Sequence, residues 1–471
     1  MRILVGMGAL LAAAALAGCA TQSADSGFRE VQALIKTHTG KEPLWVRSDA
    51  EAEGVRGTVK RLLAEPLSVD GAVQIALLNN AGLQATYMEL GIAEGDLLSA
   101  SRLPNPRFAY LRARHDDEYK IESVFSFNIL SLLTVPLAME AQKQRFEQVK
   151  AQVAGQALRV AAETRGAYFR AIAAEQLARY REEVKSAAEA SADLARRMAG
   201  AGNLPKLDAM REQAFHSEAS AQATRSRQFA LGERERLTRL MGLWGEEARY
   251  RLPERLPELP AALREQENAE ALALEQRLDI RAARRESEAL AESLGLTRVT
   301  RFIDALELGI ARTTETPEPR KQGYEIGVEI PLFDWGTGRV SRAEALYMQA
   351  ASRIAETAVN ARSEVRESYS GYRAAYEVAR RYRDETVPLR KRISQEVLLR
   401  YNGMLASVFE LLADAREQVA AVSGTIEALR DFWLADAELQ NAMTGRAAGA
   451  IGARATPGAM TSATAASAAG H

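Results

Sequence analysis

The residues that most often carry out chemistry are sparse in this 471-residue chain: His38, His115, His216, His471 and a single cysteine, Cys19. The histidines lie far apart, none in the His-Glu-x-x-His spacing that grips zinc, and no Gly-rich phosphate loop follows a strand-like run. Acid pairs such as Glu182 and Glu183 are ordinary on an exposed helix. One cysteine excludes an intrachain disulfide and a thiolate metal cluster. The eleven methionines are scattered, as packing residues are. No catalytic residue, cofactor or metal site is expected, and the chain does not read as an enzyme. Cys19 implies a different covalent chemistry. Arg2 and an apolar run from Ile3 to Ala17 precede Leu16-Ala17-Gly18-Cys19, a pattern similar to a bacterial lipobox, in which the cysteine becomes the lipidated first residue. The alternative is an ordinary signal peptide with an incidental cysteine.

Long helices are the elements that must carry the rest. Ala and straight-chain charged residues dominate, which favours helix. Lys and Arg (61) balance Asp and Glu (62), so no nucleic-acid surface is expected. No run after residue 20 reaches 18 apolar residues, so any membrane crossing must use strands. From Leu137 to Ala199 there is no proline, and sixteen alanines between residues 151 and 200 allow close helix approach. A helix over that stretch would be about 95 Å long. Residues 336–401 read similarly, with Pro388 expected to kink rather than end the helix.

Against this background "YEIGVEIPLFDWG" (324–336) stands out. Tyr324, Ile326, Val328 and Ile330 alternate with Glu325, Gly327 and Glu329, the period of a strand with two unlike faces. Ile121, Ser123, Phe125, Phe127 and Ile129 alternate likewise with Glu122, Val124, Ser126 and Asn128. Strands are expected near 104–114, 119–136, 302–312 and 323–332.

These pieces occur twice. "AVQIALLNNAGLQA" (72–85) resembles "ALALEQRLDIRAA" (271–283). "SVFSFNILSLLTVPL" (123–137) corresponds to "YEIGVEIPLFDWG", Pro136 matching Pro331, and "RRMAGAGNLPKLDAMREQ" (196–213) to "LRYNGMLASVFELLADAREQ" (399–418). The expected organisation is a signal peptide (1–18), a lipidated N-terminal segment (19–66), repeat 1 (67–250, long helices 137–199 and 204–243), a Pro-rich connector (251–260), repeat 2 (261–445, long helices 336–401 and 407–443) and an Ala/Gly/Thr/Ser tail (446–471) without fixed structure. Each repeat reads helix, β-hairpin, long helical hairpin.

Four strands with one apolar face cannot close on themselves, and open edges in a bilayer cost several kcal/mol per unpaired group. Two copies would supply eight strands and three would supply twelve. Phe125, Phe127, Tyr324, Ile326, Val328 and Ile330 would then face lipid, and Glu122, Asn128, Glu325 and Glu329 a wet lumen. A soluble amphipathic hairpin capping a helical bundle remains the alternative, as does a periplasmic coiled-coil adaptor or structural lipoprotein.

"LLNNAGLQA", "LPNP" (103–106), "IPLFDWG", "TVPLRK" around Pro388 and "RYNGMLASVFELLADAREQ", spread over residues 67–445, resemble the TolC-like outer membrane factors. "FREVQALIKTHTGKEPLW" (28–45) is similar to the start of the CzcC-like heavy-metal branch. The resemblance implies a homotrimer, mainly α with a membrane β-barrel portion: a 12-strand β-barrel in outer-membrane lipid continued by a 12-helix α-barrel. It implies an exit duct joined to a periplasmic adaptor (membrane fusion protein) and an inner-membrane transporter of the RND type, lipid-anchored at Cys19. Cargo would be heavy-metal cations, with drugs and exported polypeptides as alternatives. It assigns the interhelical turns, at Gly200, Gly202 and Leu204 and at Gly403, Leu405 and Ser407, to the periplasmic tip and adaptor contact, with the glycines permitting the reversal. It also implies a pore constriction made by Glu410, Asp414 and Asp208.

Overall fold

Residues free of proline and rich in Ala, Glu and Arg build helices far longer than one globular domain needs, and these helices set the shape. The structure, a computed structural model, describes residue 23 and residues 25–265, 268–303, 306–316 and 318–445. The expected signal peptide, Cys19 and the tail 446–471 lie outside the described residues.

In chain order, α1 (Phe28–Thr39), α2 (Asp49–Leu63), α3 (Val69–Asn79) and α4 (Ala81–Ser101) lead into the hairpin β1 (Arg107–His115) and β2 (Glu118–Asn128). The helices α5 (Ile129–Gly200) and α6 (Lys206–Met241) complete repeat 1. Repeat 2 follows the same plan with α7 (Ala269–Gln276), α8 (Leu278–Val299), β3 (Leu306–Glu315), β4 (Lys321–Val328), α9 (Thr337–Arg381), α10 (Val387–Asn402) and α11 (Val408–Thr444). The four strands form one antiparallel sheet in the order β1-β2-β3-β4, so the two repeats share a sheet through the β2–β3 pairing.

Two strand ends differ from expectation. Residues 129–136 are helical rather than extended, because Asn128 accepts the Ser131 N–H at 2.9 Å and caps a helix that tolerates Pro136 in its second turn. Pro136 and Pro331 are therefore not equivalent: Pro331 sits in the non-helical link before α9. In repeat 2 pairing stops at Val328, which leaves Glu329 and Ile330 beyond the strand. Near Pro388 the helix is continued by a wide π-type turn, Tyr382–Thr386, and the proline then falls in the first turn of α10, where its missing N–H costs little.

The core lies along the middle of α5. Val31, Ile35, Tyr87 and Leu90 pack with Val153, Ala157 and Leu158, so α1 and α4 clasp one stretch of α5. Val55, Val59 and Ile75 pack with Tyr168, Ile172 and Leu237 on the next stretch. The Tyr168 hydroxyl there donates to the Leu67 carbonyl at 2.9 Å, and burial raises its pKa to about 12. The Pro-rich connector is strapped onto repeat 2: Trp433 donates to the Pro257 carbonyl at 3.0 Å, and Tyr376 to those of Pro260 and Ala261.

The first sequence anchors turn out to be one joint built twice. In repeat 1 Asn79 donates to the carbonyls of Met241 and Gly242, at 3.2 and 2.9 Å, and Asn80 to that of Leu240 at 2.8 Å, gathering the end of α6. Gly242 has φ +67, and a Cβ there would lie 2.5 Å from the Asn79 carbonyl oxygen, so only glycine fits. In repeat 2 Arg277, 2% exposed, donates to the Ala442 carbonyl at 3.0 Å near the end of α11 and pairs with Asp279 and Glu364 at 2.6 and 2.8 Å. In both repeats the break between two short helices holds the end of a long one; an amide pair does in one repeat what an ion network around a buried arginine does in the other.

Candidate functional site

The register of the sheet sorts its side chains by face, since directly opposed residues share a side. Phe108, Phe125, Ile310 and Tyr324 form one cross-strand row, Phe127, Leu308 and Ile326 the next, and Leu306 with Val328 a third. Most of these are open to solvent in the single chain, Tyr324 at 80%. In the segments that join the strands to the helices, Ile330, Leu332, Phe333 (99% exposed), Trp335, Phe302 and Leu103 are also exposed. An apolar surface this continuous is not stable in water and marks a membrane or partner contact.

The opposite face is polar. Arg107, Ser126, Gly309 and Glu325 form one row, Glu122 and Thr313 lie with Lys321 in another, and Asn128 lies beside Glu307. Register thus brings together the expected lumen residues Glu122, Asn128 and Glu325 on one side and Phe125, Phe127, Tyr324, Ile326 and Val328 on the other. Asn128 has a second task, its side-chain oxygen being taken up in capping α5. Glu329 and Ile330 stay exposed but outside the paired sheet. The edge strands β1 and β4 run antiparallel to each other, so β4 of one copy can pair with β1 of the next without inverting a face.

The far ends of the helical hairpins are two copies of one turn. In the first, Asn203 N–H donates to the Met198 carbonyl at 2.9 Å and Gly202 sits at φ +78; in the second, Leu405 donates to Arg400 at 2.8 Å and Met404 sits at φ +60. This corrects one expectation. Gly403 has φ −81, so at the second turn Met404, not a glycine, takes the left-handed conformation. Gly200 ends α5 in helical geometry. Ser407 caps α11 by accepting the Glu410 N–H at 3.3 Å, and Pro205 holds the matching position before α6. Leu405 is exposed and Leu204 half-buried.

With the Asn203–Met198 and Leu405–Arg400 hydrogen bonds taken as equivalent, Asp208 corresponds to Glu410 and Glu212 to Asp414. The three acids expected to constrict a pore do not behave alike. Glu410 is exposed, whereas Asp208 and Asp414, 8% and 7% exposed, are packed inside the single chain, with Asp208 paired to Arg211 at 3.3 Å. The spacing of four that separates Glu410 from Asp414 does not place both on an open face, because the second acid is covered where the hairpins pack. Glu212 was not singled out in the sequence: buried, it accepts from Ser191 at 2.9 Å and lies 3.8 Å from Arg416, which stacks on Phe215. Its signal was available as the first-repeat counterpart of Asp414. Among the described residues no group of His, Cys, Asp or Glu is arranged to hold a metal ion, and no helix is long and apolar enough to cross a membrane.

The fold is that of outer-membrane channel proteins. The outer-membrane channel OprN superposes with a TM-score of 0.69 at 18% identity, covering 86% of this chain and 94% of that one. CusC, whose structures address folding and transmembrane channel formation, gives 0.66 at 16%, covering 82% and 94%. The outer membrane protein VceC from Vibrio cholerae gives 0.63 at 15%, covering 84% and 97%. No protein-family model and no curated protein matches the sequence. At the level of fold, these neighbours agree with the TolC-like resemblance of the motifs.

Proposed function

We propose that this protein is the outer-membrane exit duct of a tripartite efflux system. The observation that carries the reading is the two-faced sheet: one side is an exposed apolar band, the other is charged, and both edges are unpaired among the described residues. Lipid stabilises the first, water the second, and copies of the chain the third. Three copies give a 12-strand barrel, and the long helices continue it as a 12-helix tube through the periplasm. The turns around Gly202 and Met404 form the tip that meets a periplasmic adaptor, and an inner-membrane transporter of the RND type supplies the energy. Glu410, the exposed acid beyond the second turn, lines the conduit near its narrow end. Acylation of Cys19 anchors the mature chain, and the similarity of residues 28–45 to the heavy-metal branch makes metal cations the proposed cargo.

The test is conductance. Protein purified in detergent and added to a planar lipid film should insert with discrete current steps, and Glu410→Lys should lower cation preference without abolishing insertion. A protein that remains a water-soluble monomer and never conducts would refute the duct.

A further inference from the structure

Charge is segregated across the sheet in a way that a duct alone does not require. Every carboxylate within the four strands (Glu118, Glu122, Glu307, Glu315 and Glu325) falls on the polar face with Arg107, Lys120 and Lys321. The apolar face holds no acid, yet toward the hairpin turns it carries Arg112, Arg114 and Arg312, all exposed. None of the three forms an ion pair among the described residues. Arg114 donates to the Asp116 carbonyl at 2.9 Å, and with the Gln322 amide oriented to accept, its oxygen lies 3.2 and 3.0 Å from Arg312 Nε and Nη2.

Their height is set by the register. Arg312 is one two-residue step beyond Ile310, Arg112 two steps beyond Phe108 and Arg114 three. At about 6.8 Å per step measured along the strand, they lie roughly 7, 14 and 20 Å past the central apolar row, less in height where strands tilt. On the same face Tyr110 stands level with Arg312, across Ser123, and Tyr119 stands directly opposite Arg114. Tyrosine bodies with arginine heads beyond an apolar band match the transition from acyl chains to headgroups, and the guanidinium fork matches phosphate oxygens.

We infer that Arg112, Arg114 and Arg312 form a ring on the outside of the barrel that binds the phosphate-bearing headgroups of lipids in the leaflet nearest the hairpin turns. The inference rests on the membrane reading of the sheet. The occupant is a membrane lipid rather than a soluble anion, because the three guanidinia continue the face that enters the acyl layer. Acids are kept off that face because a carboxylate there would repel the same headgroups.

The test uses full-length protein reconstituted in vesicles of phosphatidylcholine alone or mixed with phosphatidylglycerol, re-extracted, and assayed for bound lipid by native mass spectrometry. Wild type should retain phosphatidylglycerol over phosphatidylcholine, less so at high salt, and inorganic phosphate should not displace it. The variant R112Q/R114Q/R312Q should retain at least about fivefold less, the effect expected for even one cation near an anionic surface. The variant K120Q/K321Q, which removes charge from the opposite face, should match wild type. Equal retention by the arginine variant, an equal loss in the lysine variant, or displacement by inorganic phosphate would overturn the lipid ring. Failure of every form to enter any vesicle would instead defeat the membrane reading on which it stands.

Discussion

Arg277 shows how much one side chain carries. It is buried, pairs with the partly exposed Asp279 and Glu364 and also holds the Ala442 carbonyl, so replacing it takes one cation from two carboxylates at once. Arg277→Met should cost about 3 kcal/mol, the low end of the penalty for breaking a buried pair because both carboxylates keep some solvent, and appear as a fall in the thermal midpoint. The triple change R277M/D279N/E364Q, which removes both facing negative charges too, should recover much of it. The tip turns supply a second residue-scale comparison. Gly202→Ala should destabilise its turn by about 1–2 kcal/mol, because φ +78 is costly for a side chain, while Met404→Gly should relieve strain of similar size. Hydrogen exchange of the turn amides should read faster opening in the first variant and slower in the second. The glycine pattern pointed to both turns but not to which residue reverses the chain. At 403–404 the hydrogen bonds of the helix end, not residue type, place the left-handed residue.

At the scale of elements, α11 carries a pH-sensitive load. Burial pushes the Asp436 carboxyl above its ordinary 3.8, against the pull of Arg264 and Arg165, while Gln440 donates to it at 2.8 Å. A carboxyl whose pKa is raised by folding destabilises the native state once ionised, so stability is gained as pH falls through the raised value toward 3.8 and is constant below. Asp436→Asn should therefore melt higher than wild type near neutral pH, and the gap should close as pH falls toward 4, which thermal scans at several pH values would show. Element boundaries were only partly legible. The alternation over 119–128 marked a strand, but its end depended on Asn128 serving as a cap, a role shared by many asparagines that are not caps. The pairing of "LLNNAGLQA" with "ALEQRLDIRAA" was legible as a repeat, whereas its chemistry, amides in one copy and ions in the other, needed the contacts.

For the whole molecule, the sheet decides the fate of the chain. Ile326 lies within the apolar rows and Glu325 on the opposite face, one residue apart. Ile326→Arg should cost about 2–4 kcal/mol per copy in a bilayer and reduce the membrane-inserted fraction, while Glu325→Gln should insert normally and change only ion selectivity. Flotation with vesicles followed by conductance measurement separates the two. By itself the order of residues determined the periodicities: two strand pairs with unlike faces, helices too long for one globule, and a repeat joined by prolines, because each of these is a local pattern of side-chain size and polarity. Only the tertiary structure decided the register in which β2 and β3 join the two hairpins, that Asp208 and Asp414 are covered while Glu410 is open, and that arginines crown the greasy face. Those outcomes depend on which segments meet across 200 residues of chain, and local propensity carries no information about that meeting.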